Sequence, residues 1–106
     1  MPIRPISQRV FNNSTATGAS TWAFFGEGKR FVTAYVTSPS TEVITYSVEV
    51  SVGFSTHAVE VLAAAPSTGD TSRTSTGGIV FDKARINVSA NATTGDANAV
   101  WLAASV

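Results

Sequence analysis

The chain carries near its end the stretch Phe81-Asp-Lys-Ala-Arg-Ile-Asn-Val-Ser-Ala90, in which apolar and polar residues alternate. The apolar residues that share one side of an extended chain are Ala84, Ile86, Val88 and Ala90. The polar residues on the other side are Lys83, Arg85, Asn87 and Ser89. This period of two is typical of a strand with one buried face. The stretch therefore predicts an all-β protein, with Lys83 and Arg85 on the wet face of a sheet.

The last strand has a different pattern. It reads Ala97-Asn-Ala-Val-Trp-Leu-Ala-Ala104, follows the turn Asn91-Ala-Thr-Thr-Gly-Asp96, and predicts a closing hairpin with the strand before it. Trp101 falls on one face of this strand, and Val100 and Leu102 fall on the other, so that both faces are apolar. A strand of this kind needs cover on both sides. We expect a second subunit to supply part of that cover.

Further strands are predicted upstream of this hairpin. Residues 42–52 alternate throughout, and their apolar face comprises Ile44, Tyr46, Val48, Val50 and Val52. Residues 21–25 and 30–36 flank the loop Gly26-Glu-Gly-Lys29 and predict another hairpin. Residues 57–63 predict a strand, 64–70 a loop and 71–76 a short polar edge strand or more loop. The candidate for a helical turn is the segment around 61–65.

Together these signals predict one antiparallel β-sandwich or jelly-roll-like domain of about 7–8 short strands. The domain is assigned to residues 12–106. Pro2 and Pro5 make residues 1–11 an extended arm or an edge strand, because proline removes a backbone donor.

Composition excludes several classes of function for this 106-residue chain. There is no cysteine, which removes disulfides and thiolate metal sites. Seven basic residues balance seven acidic ones, so no basic footprint for nucleic acid is present. The longest apolar run, residues 61–66, is far shorter than a membrane span needs. We expect neither nucleic acid nor membrane as a partner.

No residue pattern predicts catalysis. His57 is the sole histidine, and Glu60, three residues on, points to the opposite face of a strand. Asp70 and Asp96 each end a Thr-Gly-Asp sequence, where a plain turn is a better reading than a calcium loop. We therefore expect a non-enzymatic protein without catalytic, cofactor-binding or metal-binding residues.

Two sets of residues are candidates for binding. The N-terminal arm alternates arginine with aliphatic residues and could add to a neighbouring sheet, or equally form the first strand of its own sandwich. With the last strand it provides the partner-binding candidates Ile3, Arg4, Ile6, Arg9, Val10, Trp101 and Leu102. An aromatic cluster, Trp22, Phe24, Phe25, Phe31 and Tyr35, predicts a core or subunit interface. The alternative is a glycan site on Trp22, Phe25 and Tyr35.

A family likeness adds to this reading. The stretch from Phe81 to Leu102 resembles the C-termini of small virion proteins of tailed bacteriophages, in which an Arg-Ile-Asn-Val type strand precedes a Thr-Gly turn and an apolar last strand. Tyr46-Ser-Val-Glu-Val-Ser-Val-Gly-Phe is similar to their middle strand, and Gly28-Lys-Arg-Phe to the start of their first core strand. The likeness spans roughly residues 26–104 and departs at Gly53-Phe-Ser-Thr-His57.

The resemblance implies a structural role on the phage particle. It favours a capsid cement or decoration protein, a small β-sandwich on the capsid surface that contacts the major capsid protein, often as a homotrimer. The alternative is a carbohydrate- or receptor-binding module of a tail fibre or spike.

Overall fold

The protein is an all-β sandwich of two antiparallel sheets, as the alternating patterns predict. The computed structural model describes residues 7–12, 17–37, 43–53, 57–91 and 99–106. Its strands are β1 (Ser7–Asn12), β2 (Gly18–Ala19), β3 (Ala23–Lys29), β4 (Phe31–Thr37), β5 (Val43–Ser51), β6 (Val59–Thr68), β7 (Thr71–Thr74), β8 (Phe81–Asn91) and β9 (Ala99–Ser105). Sheet I has the order β1-β9-β4-β7, and sheet II has the order β2-β8-β5-β6, with β3 also paired to β8.

The core lies between the sheets and is built from the alternating positions. Sheet II contributes Ile44, Tyr46, Val48, Val50, Ala84, Ile86 and Val88. Sheet I contributes Val32, Ala34, Val36, Val100 and Leu102. Each of these side chains is at most 2% exposed. The predicted apolar faces of β5 and β8 are therefore confirmed over their central residues.

The alternation fails at several positions, including Ala90, Val52 and Lys83. Ala90 is exposed because the register of β8 on β5 shifts between the pairs Tyr46–Val88 and Thr45–Ala90, which turns the end of β8 over. Val52 is 53% exposed because β5 ends one residue before it. Lys83 is only 7% exposed, since the rings of Trp22 and Phe24 lie over it.

Both predicted hairpins are wrong. β8 belongs to sheet II and β9 to sheet I, so the chain crosses from one sheet to the other between them. The same holds for β3 and β4, and the two glycines between their apolar runs lie within β3 itself. In each case the strands that pair are distant in sequence, as with β9 between β1 and β4.

The segment after His57 also differs from its prediction. β6 continues through the expected loop to Thr68, and no helical turn forms around 61–65. Pro66 is accommodated because β6 is an edge strand, where a missing backbone donor breaks no inner ladder. Gly69 then adopts φ +71° between β6 and β7, where the chain passes from sheet II to sheet I.

Three of the edge strands carry features that interrupt further pairing. β1 has a bulge between Arg9 and Phe11, and β6 has Pro66 and two register shifts against β5. β7 is four residues long. Such features hinder the pairing of another strand with the edge of a sheet. Contacts with other molecules are therefore expected at the faces and ends of the sandwich.

Arg73 ties the two sheets together at one side of the sandwich. It lies on β7 opposite the buried Ala34, and its Nη1 and Nη2 donate to the backbone carbonyls of Ala63 and Tyr46, each at 2.8 Å. Those carbonyls flank one of the bulges in the β5–β6 ladder, where regular pairing is interrupted. The guanidinium thus supplies donors to the opposite sheet.

Candidate binding surfaces

The outer face of sheet I presents two aromatic rings in one cross-strand row. Tyr35 on β4 is the direct register partner of Trp101 on β9, and Trp101 is that of Arg9 on β1. Ser72 on β7 completes the row on the other side of Tyr35. Tyr35 is 43% exposed and Trp101 is half-buried, with the Arg9 guanidinium 5.9 Å from the centre of a Trp101 ring.

Depressions lie on both sides of Tyr35. One, of about 320 Å³, is lined by Ser7, Tyr35, Trp101 and Ala103. The other, also of about 320 Å³, is lined by Tyr35 together with Val36, Thr37, Asp70, Thr71 and Ser72. The first is mainly aromatic with a hydroxyl at its rim, and the second is edged by hydroxyls. The row from Arg9 to Ser72 therefore crosses an elongated trough that has Arg9 near one end and Asp70 near the other.

The outer face of sheet II carries aromatic rings interleaved with cations. The Lys83 ammonium lies 4.9 Å from the centre of the Trp22 ring, and the Arg85 guanidinium lies 4.3 Å from the centre of the same ring. Arg85 also pairs with Glu49 across the β8–β5 ladder at 3.0 Å between Nε and Oε1. Arg85 is thus paired with Glu49, and both Lys83 and Arg85 face the Trp22 ring. Trp22 therefore serves chiefly to cover these two cations.

One end of the sandwich exposes several large apolar side chains. They gather around the start of β8 and are 64%, 53%, 40% and 48% exposed, for Phe24, Val52, Ile79 and Val80 respectively. Phe24 and Ser51 flank Lys83 in register, and Val52 follows Ser51. The backbone N–H of Gly53 donates to both carboxylate oxygens of Asp82, which joins the end of β5 to the start of β8. We call the four exposed residues Phe24, Val52, Ile79 and Val80 the apolar end.

The predicted partner-binding residues are dispersed. Arg9 is exposed on the outer face of sheet I beside Trp101, whereas Val10 packs against the core from the bulge in β1. Leu102 is fully buried between the sheets, so its side chain reaches no surface of the single chain. Ile3, Arg4 and Ile6 lie outside the described residues.

The predicted aromatic cluster is not one cluster. Trp22 lies on sheet II, Phe25 packs against the core, and Tyr35 lies on sheet I. The three glycan-site candidates therefore share no surface. The ring that joins Tyr35 is Trp101, and only the β4–β9 register brings the two together.

The titratable candidates are also separate. His57 is exposed, and its backbone carbonyl accepts a hydrogen bond from the Ser51 hydroxyl at 2.7 Å. Asp70 lies in the turn between β6 and β7, and Asp96 lies outside the described residues. Within the described ranges, no group of three or more His, Asp or Glu side chains could hold a metal ion. Among those same residues, no helix is long and apolar enough to cross a membrane.

The chain matches no protein-family model and no curated protein sequence. It is similar in structure to the SPBc2 prophage-derived protein YomS, whose crystal structure superposes with a TM-score of 0.67. The match covers 99% of this chain and 97% of that chain. The two chains share one fold. At 14% sequence identity the similarity concerns the arrangement of the strands in both sheets.

Proposed function

We propose that this chain is a non-enzymatic structural protein of a bacteriophage particle. The observation that carries the proposal is the fold shared, over 99% of this chain, with a prophage-derived protein. The resemblance of residues 81–102 to small virion proteins supports it independently. Within that role the specific proposal is a capsid cement or decoration protein, which binds the major capsid protein at the capsid surface and stabilises the shell by added contacts.

The apolar end is the surface that we assign to this contact. Its four members are each at least 40% exposed, whereas single exposed apolar residues are ordinary on a protein surface. Grouped exposed apolar residues are typical of protein interaction sites. A second contact is proposed for the N-terminal arm, through Ile3, Arg4 and Ile6, because β1 is an edge strand that begins at the exposed Ser7.

A homo-oligomer, with a trimer favoured by the family resemblance, is part of the proposal. Its support is that resemblance, since Val100 and Leu102, which we expected a second subunit to cover in part, are fully buried within one chain. Light scattering on the purified protein gives the mass directly. A monomer at all concentrations would remove the oligomer from the proposal.

The particle itself provides the decisive experiment. Phage particles from cells carrying this chain are purified and their proteins identified by mass spectrometry, with and without Phe24→Ser or Val80→Ser. We expect the native chain on particles and reduced occupancy for both variants. Ala90→Ser is the control, because Ala90 is exposed and lies near the other end of β8 from the apolar end. Absence of the native chain from particles would contradict the virion role.

The second candidate function is a carbohydrate- or receptor-binding module of a tail fibre or spike. The pairing of Tyr35 with Trp101 on one open face favours it. Trp22 and Phe25 do not contribute to this pair, since Trp22 packs on Arg85 of sheet II and Phe25 packs against the core.

A further inference from the structure

We infer that the outer face of sheet I is a binding site for a neutral oligosaccharide, whose sugar rings stack on Tyr35 and Trp101. The two residues are direct partners in the β4–β9 ladder, so their Cβ atoms are about 5 Å apart and their rings leave the same face. The inference rests on the ligand class of the second candidate function and is independent of the cement proposal.

The rings stand above a floor of small side chains. Ala99 and Ala103 lie two residues to either side of Trp101 on β9, and they are 6% and 5% exposed. Thr33 and Thr37 hold the same positions beside Tyr35 on β4. Depressions of about 320 Å³ on both sides of Tyr35 follow from this arrangement. Ligand pockets start at about 300 Å³, so each has room for a small ring.

The lining matches the chemistry of a sugar. A pyranose has apolar C–H faces and a polar rim of hydroxyls, and it therefore needs an aromatic surface beside hydrogen-bonding groups. The trough supplies Tyr35 and Trp101 at its centre, Ser7 at one end, and Thr37 and Ser72 at the other. A site with a few polar groups around an apolar surface is the usual composition of small-molecule pockets.

Other ligand classes fit this face less well. Arg9 is the cation in the row, and its guanidinium already faces Trp101, so the face lacks the basic stripe that a nucleic acid needs. The trough runs across the strands of sheet I, whereas an added β-strand would lie along an edge. A neutral, elongated ligand with alternating apolar faces and hydroxyls is the class that remains.

The test is a glycan array of linear oligosaccharides of glucose, galactose, mannose and N-acetylglucosamine, probed with the full chain. The tightest binder is then titrated by isothermal calorimetry. We expect Tyr35→Ala to weaken binding by roughly tenfold or more, the effect of losing one stacking ring. Ser7→Phe keeps both rings and fills the depression from its exposed rim, and it should abolish binding without altering the unfolding midpoint.

Phe24→Ala is the matched control, because Phe24 is an exposed aromatic residue on sheet II. It should leave the affinity unchanged. No retained oligosaccharide at millimolar concentration would overturn the inference, as would equal losses for Tyr35→Ala and Phe24→Ala. A concentration-dependent dimer that Tyr35→Ala dissociates would also overturn it, by assigning the face to contact between copies. Particle occupancy depends on neither result, so the two proposals fail separately.

Discussion

Arg73 and Tyr46 join the two sheets: the Arg73 Nη2 donates to the Tyr46 carbonyl at 2.8 Å, and the guanidinium lies 4.5 Å from the centre of the Tyr46 ring. Tyr46 is fully buried, whereas Arg73 comes from a four-residue edge strand. An arginine with a planar fork can serve two carbonyls and one ring at once. This contact therefore holds β7 against the bulged part of sheet II.

Replacing Arg73 should destabilise the fold, because β7 loses its hydrogen bonds to sheet II. We expect Arg73→Met to lower the free energy of unfolding by about 1.5–3 kcal/mol, the usual contribution of hydrogen bonds from a charged donor. Arg73→Lys should recover only part of this, because an ammonium does not reproduce the fork. Urea denaturation provides the measurement. Arg30→Met, at an exposed arginine, is the control and should change stability by less than about 0.5 kcal/mol. Equal effects at Arg73 and Arg30 would contradict the clamp.

The core prediction compares two isoleucines. Ile86 is fully buried at the centre of β8, and Ile79 is 40% exposed just before that strand. Ile86→Ala should cost about 2–5 kcal/mol, because it removes buried apolar surface and leaves a cavity. Ile79→Ala should cost less than about 1 kcal/mol. Thermal and chemical unfolding test both variants, and similar losses at the two sites would show that Ile79 is buried in solution, for example by a second subunit.

Neighbouring glycines give a prediction about backbone conformation. Gly78 has φ +66°, and a Cβ added there would meet only ordinary contact with Phe31 at 3.8 Å. Gly78→Ala should therefore cost about 1–2 kcal/mol through the left-handed backbone alone. Gly77 has neither a left-handed φ nor a heavy atom within 4 Å, so Gly77→Ala should be neutral or stabilise by up to about 1 kcal/mol. A smaller loss at Gly78 than at Gly77 would contradict this assignment.

The ion pair between Arg85 and Glu49 should contribute little and depend on salt. Its side chains are 26% and 18% exposed, and the guanidinium lies 4.3 Å from the centre of the Trp22 ring. A double-mutant cycle with Arg85→Met and Glu49→Gln should give a coupling of about 0.2–1 kcal/mol. The coupling should shrink between low salt and about 1 M salt, where the Debye length falls to about 3 Å. A coupling that salt leaves unchanged would indicate a pair shielded from solvent.

How far the sequence predicted the binding surfaces depends on the residue. Tyr35 and Trp101 were each candidates on chemical grounds, yet in separate hypotheses, because nothing local shows that β4 and β9 pair. Trp22 and Phe25 were candidates for the same reason and belong elsewhere. The exposure of Val52 depends on where β5 ends, and a periodic pattern defines strand ends poorly.

The sequence by itself determined that the chain forms strands and which side of β5 and β8 is buried. A period of two in apolar residues is a local property of the chain. It is visible in the sequence of residues 44–50 and 84–88. Only the tertiary structure decided which strands are neighbours. Hydrogen bonds between strands are identical in kind whatever the pair, so β8 and β9 looked like a hairpin although they lie in opposite sheets. The packing of two complete apolar faces selects the pairing, and with it the meeting of Tyr35 with Trp101 and of Arg73 with Tyr46.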